Sequence, residues 1–277
     1  MTSPTEAARD IFLKTLSELG VKVLVEQRLK VDDNRLAVND RIYNLTAYDK
    51  VTLIGFGKAS ASMGESVEKL LKDRLGAGLL VSNFDPGLKL KSRLIVAGHP
   101  LPDENSFEAG AEILNLVRSS GEKSLIIFLI SGGGSAMVEH PISPLIRIDD
   151  LRSLNKTLIN CGATIKEINT VRSTLSRIKG GRLGYEARRS DIIALYLSDV
   201  NAGDLESIAS GPLLPNASSP LDFQQVIDRY SLREKLPASI LDVLDNSSLN
   251  DIPDRWASRA KSEHVLLADN RYALGVA

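Results

Sequence analysis

Two unbroken apolar runs are the feature that most restricts how this chain can fold. Residues 124–130 (SLIIFLI) and 191–197 (DIIALYL) show no regular alternation of polar and apolar residues. Such runs are typical of parallel strands whose two faces are both covered by helices. Helical patterns separate the strand-like runs, which favours crossover connections. We therefore predict an α/β fold: a doubly wound, mostly parallel, Rossmann-like sheet with helices on both faces.

The same patterns extend along most of the chain. Further strands are predicted at KVTLIGFG, GLLVSN, RLIVAG and HVLLADN. Helices are predicted at residues 3–20, 58–75, 106–120, 150–161 and 165–179. Residues 21–50 hold short strand-like pieces with a turn at DDNR, and small outer helices are expected at about 216–260. We expect one main domain over residues 1–277.

The first helix has a clear start and a candidate core face. Ser3 is its N-cap, and Glu6 completes a capping box. Apolar residues recur at helical spacing, which predicts an amphipathic helix. These residues are Ala8, Ile11, Phe12, Leu16 and Leu19.

Composition excludes several classes of function. The net charge is −1, which argues against a nucleic-acid binder. No apolar run is long enough to span a bilayer, and the N-terminus lacks the features of a signal peptide. Cys161 is the single cysteine, which excludes an intramolecular disulfide and fits a reducing compartment. We expect a cytoplasmic protein that binds neither membranes nor nucleic acid.

Three unusual loops follow predicted strands: GFGKAS, SGGGSA and SDVNAGD. Ligands of open parallel sheets bind beyond the carboxyl ends of the strands, where these loops lie. In the second loop Ser131 and Ser135 flank Gly132, Gly133 and Gly134. Glycines let backbone N–H groups approach an anion, so this loop is a candidate anion site. The alternative is a tight turn that requires a positive φ.

The first loop carries Lys58. It is not a Walker A loop, because Thr52 stands at the first glycine position and Ala59 follows the lysine. It is also an imperfect dinucleotide fingerprint, because Ser60 stands at the third glycine position. Lys58 can pair with a carboxylate or phosphate as a point charge, or it is an ordinary surface lysine.

The helix predicted at residues 165–179 carries a polar stripe beside its core face. Asn169, Arg172, Ser176 and Lys179 form that stripe, which contains no acid. It is an anion-facing edge or a solvated flank.

Two acids belong to the third loop. Asp199 and Asp204 are candidates to hold Mg²⁺, or to take a proton from a hydroxyl group. The alternative is an Asx-turn or a helix cap at each. His99 is expected to be structural, and Asp103 or Ser106 to cap the next helix.

Six motifs occur in one order: GFGKASASM, AGHPLPDE, LISGGGSAM, INTVRSTLSRIKGGRL, LSDV and IASGP. Together they resemble the glycerate 2-kinases whose C-terminal half is called the MOFRL domain, from about residue 5 to the end. The resemblance implies transfer of the γ-phosphate of ATP to the 2-hydroxyl of D-glycerate, with Mg²⁺. Members of this family are often labelled hydroxypyruvate reductases.

The resemblance also implies roles for particular residues. Lys58 would act at the phosphoryl group or the substrate, and residues 131–135 match the glycine-rich loop of the family. Asn169, Arg172 and Lys179 match the polar residues of its signature helix, with Arg172 a bidentate partner for the glycerate carboxylate. Asp199 matches the acid of its Ser-Asp-Val motif.

The chain departs from the family pattern at three places. Thr174 replaces a usual histidine, and Asn201 and Ala202 shift the Gly-Asp pair that follows Ser-Asp-Val. The sequence stops where the family pattern goes on into a second domain, so we expect this chain to lack that domain. We therefore expect weak activity or none for the isolated chain, and a homo-oligomer or a separate second-domain chain as partner. The rival functions are an NAD(P)H-dependent hydroxypyruvate reductase and an inactive fragment that binds glycerate or nucleotide.

Overall fold

The structure is a computed structural model that describes residues 3–198, 205–214, 220–246 and 261–276. Its strands are β1 (Leu29–Asp32), β2 (Arg35–Val38), β3 (Arg41–Asn44), β4 (Lys50–Phe56), β5 (Ala77–Ser82), β6 (Arg93–Val96), β7 (Ser124–Ser131), β8 (Asp191–Leu197) and β9 (Ser262–Ala268). Its α-helices are α1 (Pro4–Glu18), α2 (Val21–Arg28), α3 (Ser60–Leu71), α4 (Glu104–Arg118), α5 (Gly134–Met137), α6 (Ile148–Asn160), α7 (Ile165–Thr174), α8 (Arg182–Glu186), α9 (Pro220–Arg229), α10 (Ala238–Asp245) and α11 (Asn270–Val276).

A parallel sheet with the strand order β6-β5-β4-β7-β8-β9 forms the centre of the protein. Each neighbouring pair in it is parallel. All eight residues of β7 are buried, as its lack of alternation predicted. Alternate residues of β7 face two separate apolar clusters, one beneath α4 and α8 and the other beneath α2 and α3. The predicted α/β fold with helices on both faces is confirmed.

The direction of chain winding reverses between β4 and β7. From β4 the chain runs outward through β5 to β6, then returns to place β7 on the other side of β4. Phe56 near the end of β4 lies opposite Ile130 near the end of β7. Loops that leave such a pair diverge and open a crevice beyond the strand ends.

The N-terminal region contains elements that the sequence left ambiguous. Residues 21–28 form a helix, and residues 29–44 form a separate antiparallel sheet in the order β1-β2-β3. The turn predicted at DDNR joins β1 to β2. The helix α1 has the predicted capping box, but its apolar face is not in the core: Phe12 is 62% exposed. Within the described ranges, no helix is long and apolar enough to cross a membrane.

A third apolar cluster lies outside the central sheet. The helices α6, α7, α9 and α10 pack around it, with Leu158, Val171, Phe223 and Ile240 in its centre. The helices α9 and α10 fall in the outer region where small helices were expected, and residues 247–260 lie outside the described ranges.

Candidate functional site

The loops after β4 and β7 are tied together by hydrogen bonds. The Lys58 backbone N–H donates to the Gly132 carbonyl at 2.9 Å, and the Ala59 N–H donates to Ser131 Oγ at 3.0 Å. Gly57 has a φ of +119°, and a Cβ there would lie 2.4 Å from Ser131 O and Oγ. A glycine is therefore required for the close approach of the two loops. The backbone of Lys58 therefore meets the glycine loop at the carboxyl ends of β4 and β7, and the role of the Lys58 side chain stays a prediction.

The glycines of the second loop are needed for packing. Gly133 has a φ of +85°, and a Cβ there would lie 3.0 Å from the His99 ring. A Cβ on Gly134 would lie 2.9 Å from the Phe56 ring. At Gly133 the tight-turn alternative accounts for the glycine, whereas at Gly134 the close packing against Phe56 does. The anion-binding role of residues 131–135 stays a prediction.

A chain of hydroxyl groups joins this loop to α7. Ser210 Oγ donates to Asn169 Oδ1 at 3.1 Å, and Ser135 Oγ lies 2.8 Å from Ser210 Oγ. Because the single Ser210 proton is given to Asn169, Ser135 must be the donor to Ser210. Ala209 and Ser210 have φ values of +53° and +61°. Two consecutive non-glycine residues in the left-handed region are a local strain, which is common at binding sites.

The helix α7 is shorter than predicted. It ends at Thr174, so Ser176 and Lys179 do not continue the polar stripe of Asn169 and Arg172 on one helix. After Thr174 the backbone pairs with residues 140–142 instead of continuing the helix. Arg182 Nη1 donates to the carbonyls of Ser173, Thr174 and Ser176 and so satisfies the end of the helix.

Glu139, which lies outside α7, faces the polar residues of that stripe. Glu139 Oε2 forms an ion pair with Lys179 Nζ, and their side chains are 8% and 1% exposed. Burial lowers the pKa of the Lys179 ammonium, and the charge of Glu139 acts in the opposite direction. Glu139 Oε1 also accepts the His140 N–H at 2.9 Å.

Arg172 is held from the neighbouring helix. Its Nε–H donates to Oδ1 of Asn155 on α6 at 2.8 Å. Burial lowers the pKa of its guanidinium, and Glu139 opposes that shift. Sequence analysis missed both Asn155 and Glu139. The sequence did contain a signal for Asn155, because it is the one polar residue on the otherwise apolar buried face of α6.

These side chains surround a small pocket with a cavity volume of about 20 Å³ that opens to the surface. Its apolar wall is formed by Pro100, Pro102, Leu151 and Leu154. Its polar lining is formed by Ser135, Glu139, Asn155, Arg172 and Lys179. The structure thus brings three predicted residues together, namely Ser135, Arg172 and Lys179. The exposed Lys58 is outside this lining.

The predicted acids Asp199 and Asp204 lie outside the described residues. The last described residue before them is Ser198, which follows the strand β8 beside the end of β7. In the described part of the chain, no group of three or more His, Cys, Asp or Glu could hold a metal ion. The Mg²⁺ assignment therefore stays a prediction.

Comparisons with known proteins place the chain in a family. A family model described as a domain of unknown function, DUF4147, matches residues 7–245. A protein of Agrobacterium vitis that is provisionally named hydroxypyruvate reductase is 37% identical over 210 residues, which cover 76% of this chain and 54% of that protein. The glycerate 2-kinase of Pyrococcus horikoshii is 36% identical over 213 residues, which cover 76% of this chain and 47% of that protein. The chain spans about half the length of these relatives.

A solved structure shares the fold. The crystal structure of glycerate kinase from Thermotoga maritima superposes with a TM-score of 0.81 at 28% identity. The superposition covers 97% of this chain and 60% of that one.

Proposed function

Because the chain belongs to the DUF4147 family, the N-terminal domain of the glycerate kinase family, we propose that it supplies the acid-binding part of a D-glycerate 2-kinase. That enzyme would transfer the γ-phosphate of ATP to the 2-hydroxyl of D-glycerate. The observation that carries this proposal is the meeting of Arg172 and Ser135 in one pocket, next to the loop that adjoins Lys58.

The pocket suits the carboxylate of a small acid. Arg172 is half-buried at the pocket, and a guanidinium can bind a carboxylate through two parallel hydrogen bonds. Lys179 adds a second positive charge, which the negative charge of Glu139 balances. The pocket therefore keeps one net positive charge for a monoanion.

The hydroxyl end of the acid would lie at Ser135. Ser135 gives its proton to Ser210, so its oxygen is left to accept a hydrogen bond. The 2-hydroxyl of glycerate would donate that bond and so be oriented for phosphoryl transfer. Orientation of this kind is a large part of the catalysis of phosphoryl transfer, which needs no covalent intermediate with the protein.

The nucleotide would enter from the side of Lys58. An exposed lysine beside the β4–β7 crevice can neutralise a phosphate oxygen as a point charge. Asp199 and Asp204 are the residues that would hold Mg²⁺, which when bound supplies charge neutralisation on the phosphates. Asp199 is also our candidate to take the proton of the 2-hydroxyl.

A kinase assay with a binding assay tests this function. The chain is mixed with ATP, Mg²⁺ and D-glycerate, and release of ADP is followed; calorimetry measures binding of D-glycerate. We expect binding with slow turnover or none, because the relatives are about twice as long. Arg172→Met should weaken binding about 10-fold or more, whereas Lys166→Met, an exposed cation on the same helix, should not. Turnover of about 1–100 per second would contradict this expectation of slow turnover or none.

The reductase remains the rival, because one relative carries that name. Its test is oxidation of NADH by the chain in the presence of hydroxypyruvate. Consumption of NADH without ADP release in the kinase assay would replace our proposal with the reductase. Binding of D-glycerate without either reaction, even when the half of a relative that this chain does not match is supplied as a second chain, would favour an inactive binding fragment.

A further inference from the structure

Asn155 is a polar residue on the buried side of α6. Its neighbours on that side are Leu151, Leu154 and Leu158, and Asn155 is itself 7% exposed. A buried amide costs free energy unless its polar atoms are paired. The hydrogen-bond partner of Asn155 is a residue of the pocket: Asn155 Oδ1 accepts the Nε–H of Arg172 at 2.8 Å.

This single hydrogen bond determines which edge of Arg172 remains available. A guanidinium carries five N–H donors, one on Nε and two on each Nη. Asn155 engages Nε, and no hydrogen bond from within the described ranges reaches Nη1 or Nη2. Arg172 is half-buried and lines the pocket, so its Nη edge is the one that a ligand in the pocket would meet. They present a two-pronged donor of the shape that a carboxylate accepts.

We propose that Asn155 is a positioning residue that turns the Nη edge of Arg172 towards the carboxylate of a small 2-hydroxy acid. The proposal rests on the proposed function, which places that carboxylate at Arg172. Asn155 itself acts through Arg172 and need not touch the acid.

The amide is suited to this task because it carries no charge. Arg172, Lys179 and Glu139 leave the pocket with one net positive charge. An aspartate at position 155 would accept the same hydrogen bond but would cancel that charge and compete for the guanidinium. A neutral acceptor orients Arg172 and leaves its attraction for an incoming anion intact.

The test compares two ligands of nearly the same shape, one that carries a carboxylate and one that carries a neutral carboxamide in its place. Calorimetry measures the binding of D-glycerate and of D-glyceramide, in which a carboxamide replaces the carboxylate. The variants are Asn155→Ala, the isosteric Asn155→Asp, and the control Asn160→Ala at the exposed end of the same helix. Urea unfolding of each variant separates loss of folding from loss of orientation, and Asn155→Asp supplies the test where Asn155→Ala does not fold.

We expect the wild-type chain to prefer D-glycerate to D-glyceramide. Asn155→Ala should weaken binding of D-glycerate by about 10- to 100-fold, the size of one hydrogen bond to a charged group, with a much smaller effect on D-glyceramide. Asn155→Asp should weaken D-glycerate at least as much, despite retaining the shape of the side chain. Asn160→Ala should remain within about twofold of the wild type.

Other results overturn the proposal in recognisably different ways. Equal losses for both ligands would mean that Asn155 only supports the packing of the pocket. Unchanged binding in Asn155→Ala and Asn155→Asp would refute the positioning role and leave the proposed function intact. A wild-type chain that binds neither ligand would contradict the proposed function, and the positioning role would fall with it.

Discussion

Lys179 and Glu139 form an ion pair that is almost closed to solvent, with side-chain exposures of 1% and 8%. The two residues come from different segments: Glu139 follows the glycine loop and α5, and Lys179 follows the end of α7. Each charge therefore depends on the other segment for compensation. The pair joins the loop after β7 to the region that carries Arg172.

Removing the negative partner of this pair should destabilise the protein strongly. Glu139→Gln leaves a buried ammonium without a counter-charge, so the free energy of unfolding should fall by about 3–5 kcal/mol. Urea unfolding measures the loss. The control is Glu186→Gln, which breaks the more exposed pair with Arg118 and should cost about 1 kcal/mol or less. Equal losses of unfolding free energy in the two variants would show that burial does not increase the contribution of the Lys179–Glu139 pair to stability.

The stability of the protein should decrease in acid partly through Glu167. The Thr164 N–H and hydroxyl both donate to Glu167 Oε2 at 2.8 Å, and together they lower the pKa of this carboxyl to about 2 from 4.5. A carboxyl whose folded-state pKa is lowered stabilises the fold above its unfolded pKa. That contribution is lost as the pH falls from 4.5 towards about 2.

Glu167→Gln should therefore flatten the fall of the urea midpoint over this pH window. Glu234→Gln removes an exposed carboxylate from a neighbouring region and serves as the control, which should keep the wild-type slope. An unchanged slope in Glu167→Gln would exclude this carboxyl as a source of acid sensitivity.

The approach of the β4 and β7 loops should fail when Gly57 gains a side chain. Gly57→Ala brings a methyl group against Ser131 in a left-handed backbone, and we expect a loss of roughly 2–4 kcal/mol in unfolding free energy. Gly87→Ala isolates the backbone strain, because Gly87 also has a positive φ but nothing lies within 4 Å of the place that its methyl group would take; about 1 kcal/mol is expected there. Faster hydrogen exchange at the Lys58 and Ala59 amides in Gly57→Ala only would locate the damage.

The end of α7 should depend on Arg182. Arg182→Met removes the donor to three backbone carbonyls in a part-buried position, so the unfolding free energy should fall by about 2–4 kcal/mol. Arg177→Met removes an exposed guanidinium with a hydrogen bond to Ile142 O at 2.9 Å and should cost less than about 1 kcal/mol. Similar effects of the two substitutions would contradict the capping role of Arg182.

The sequence predicted the central sheet well because apolar runs such as β7 report directly on burial. It overextended α7 because Leu175 and Ile178 are also buried and continue the helical spacing beyond Thr174. The helix ends where the chain pairs with residues 140–142, a tertiary contact that the spacing of apolar residues does not encode. The helix α1 shows a second limit of the pattern. Its apolar residues have helical spacing but are exposed, because spacing does not reveal whether another element covers them.

The candidate site was only partly predictable for a related reason. Ser135, Arg172 and Lys179 belong to motifs, and the pocket unites them. Asn155 becomes relevant only when α6 packs against α7, and Glu139 only when the segment after α5 meets Lys179, so both roles depend on tertiary contacts. The sequence placed Lys179 on a polar stripe but could not show that its ion-pair partner is Glu139, which comes from a different segment.

The direction of the hydroxyl chain from Ser135 through Ser210 to Asn169 has a stereochemical consequence. It leaves the Ser135 oxygen to accept a hydrogen bond from a ligand in the pocket. The Nη edge of Arg172 donates hydrogen bonds, and the prolines and leucines of the pocket offer apolar contact only. Three unlike points of contact are the least that a surface needs to distinguish mirror-image molecules. Because Ser210 donates its proton to Asn169, Ser135 is left as an acceptor for the ligand, and this helps to determine which enantiomer of a 2-hydroxy acid fits.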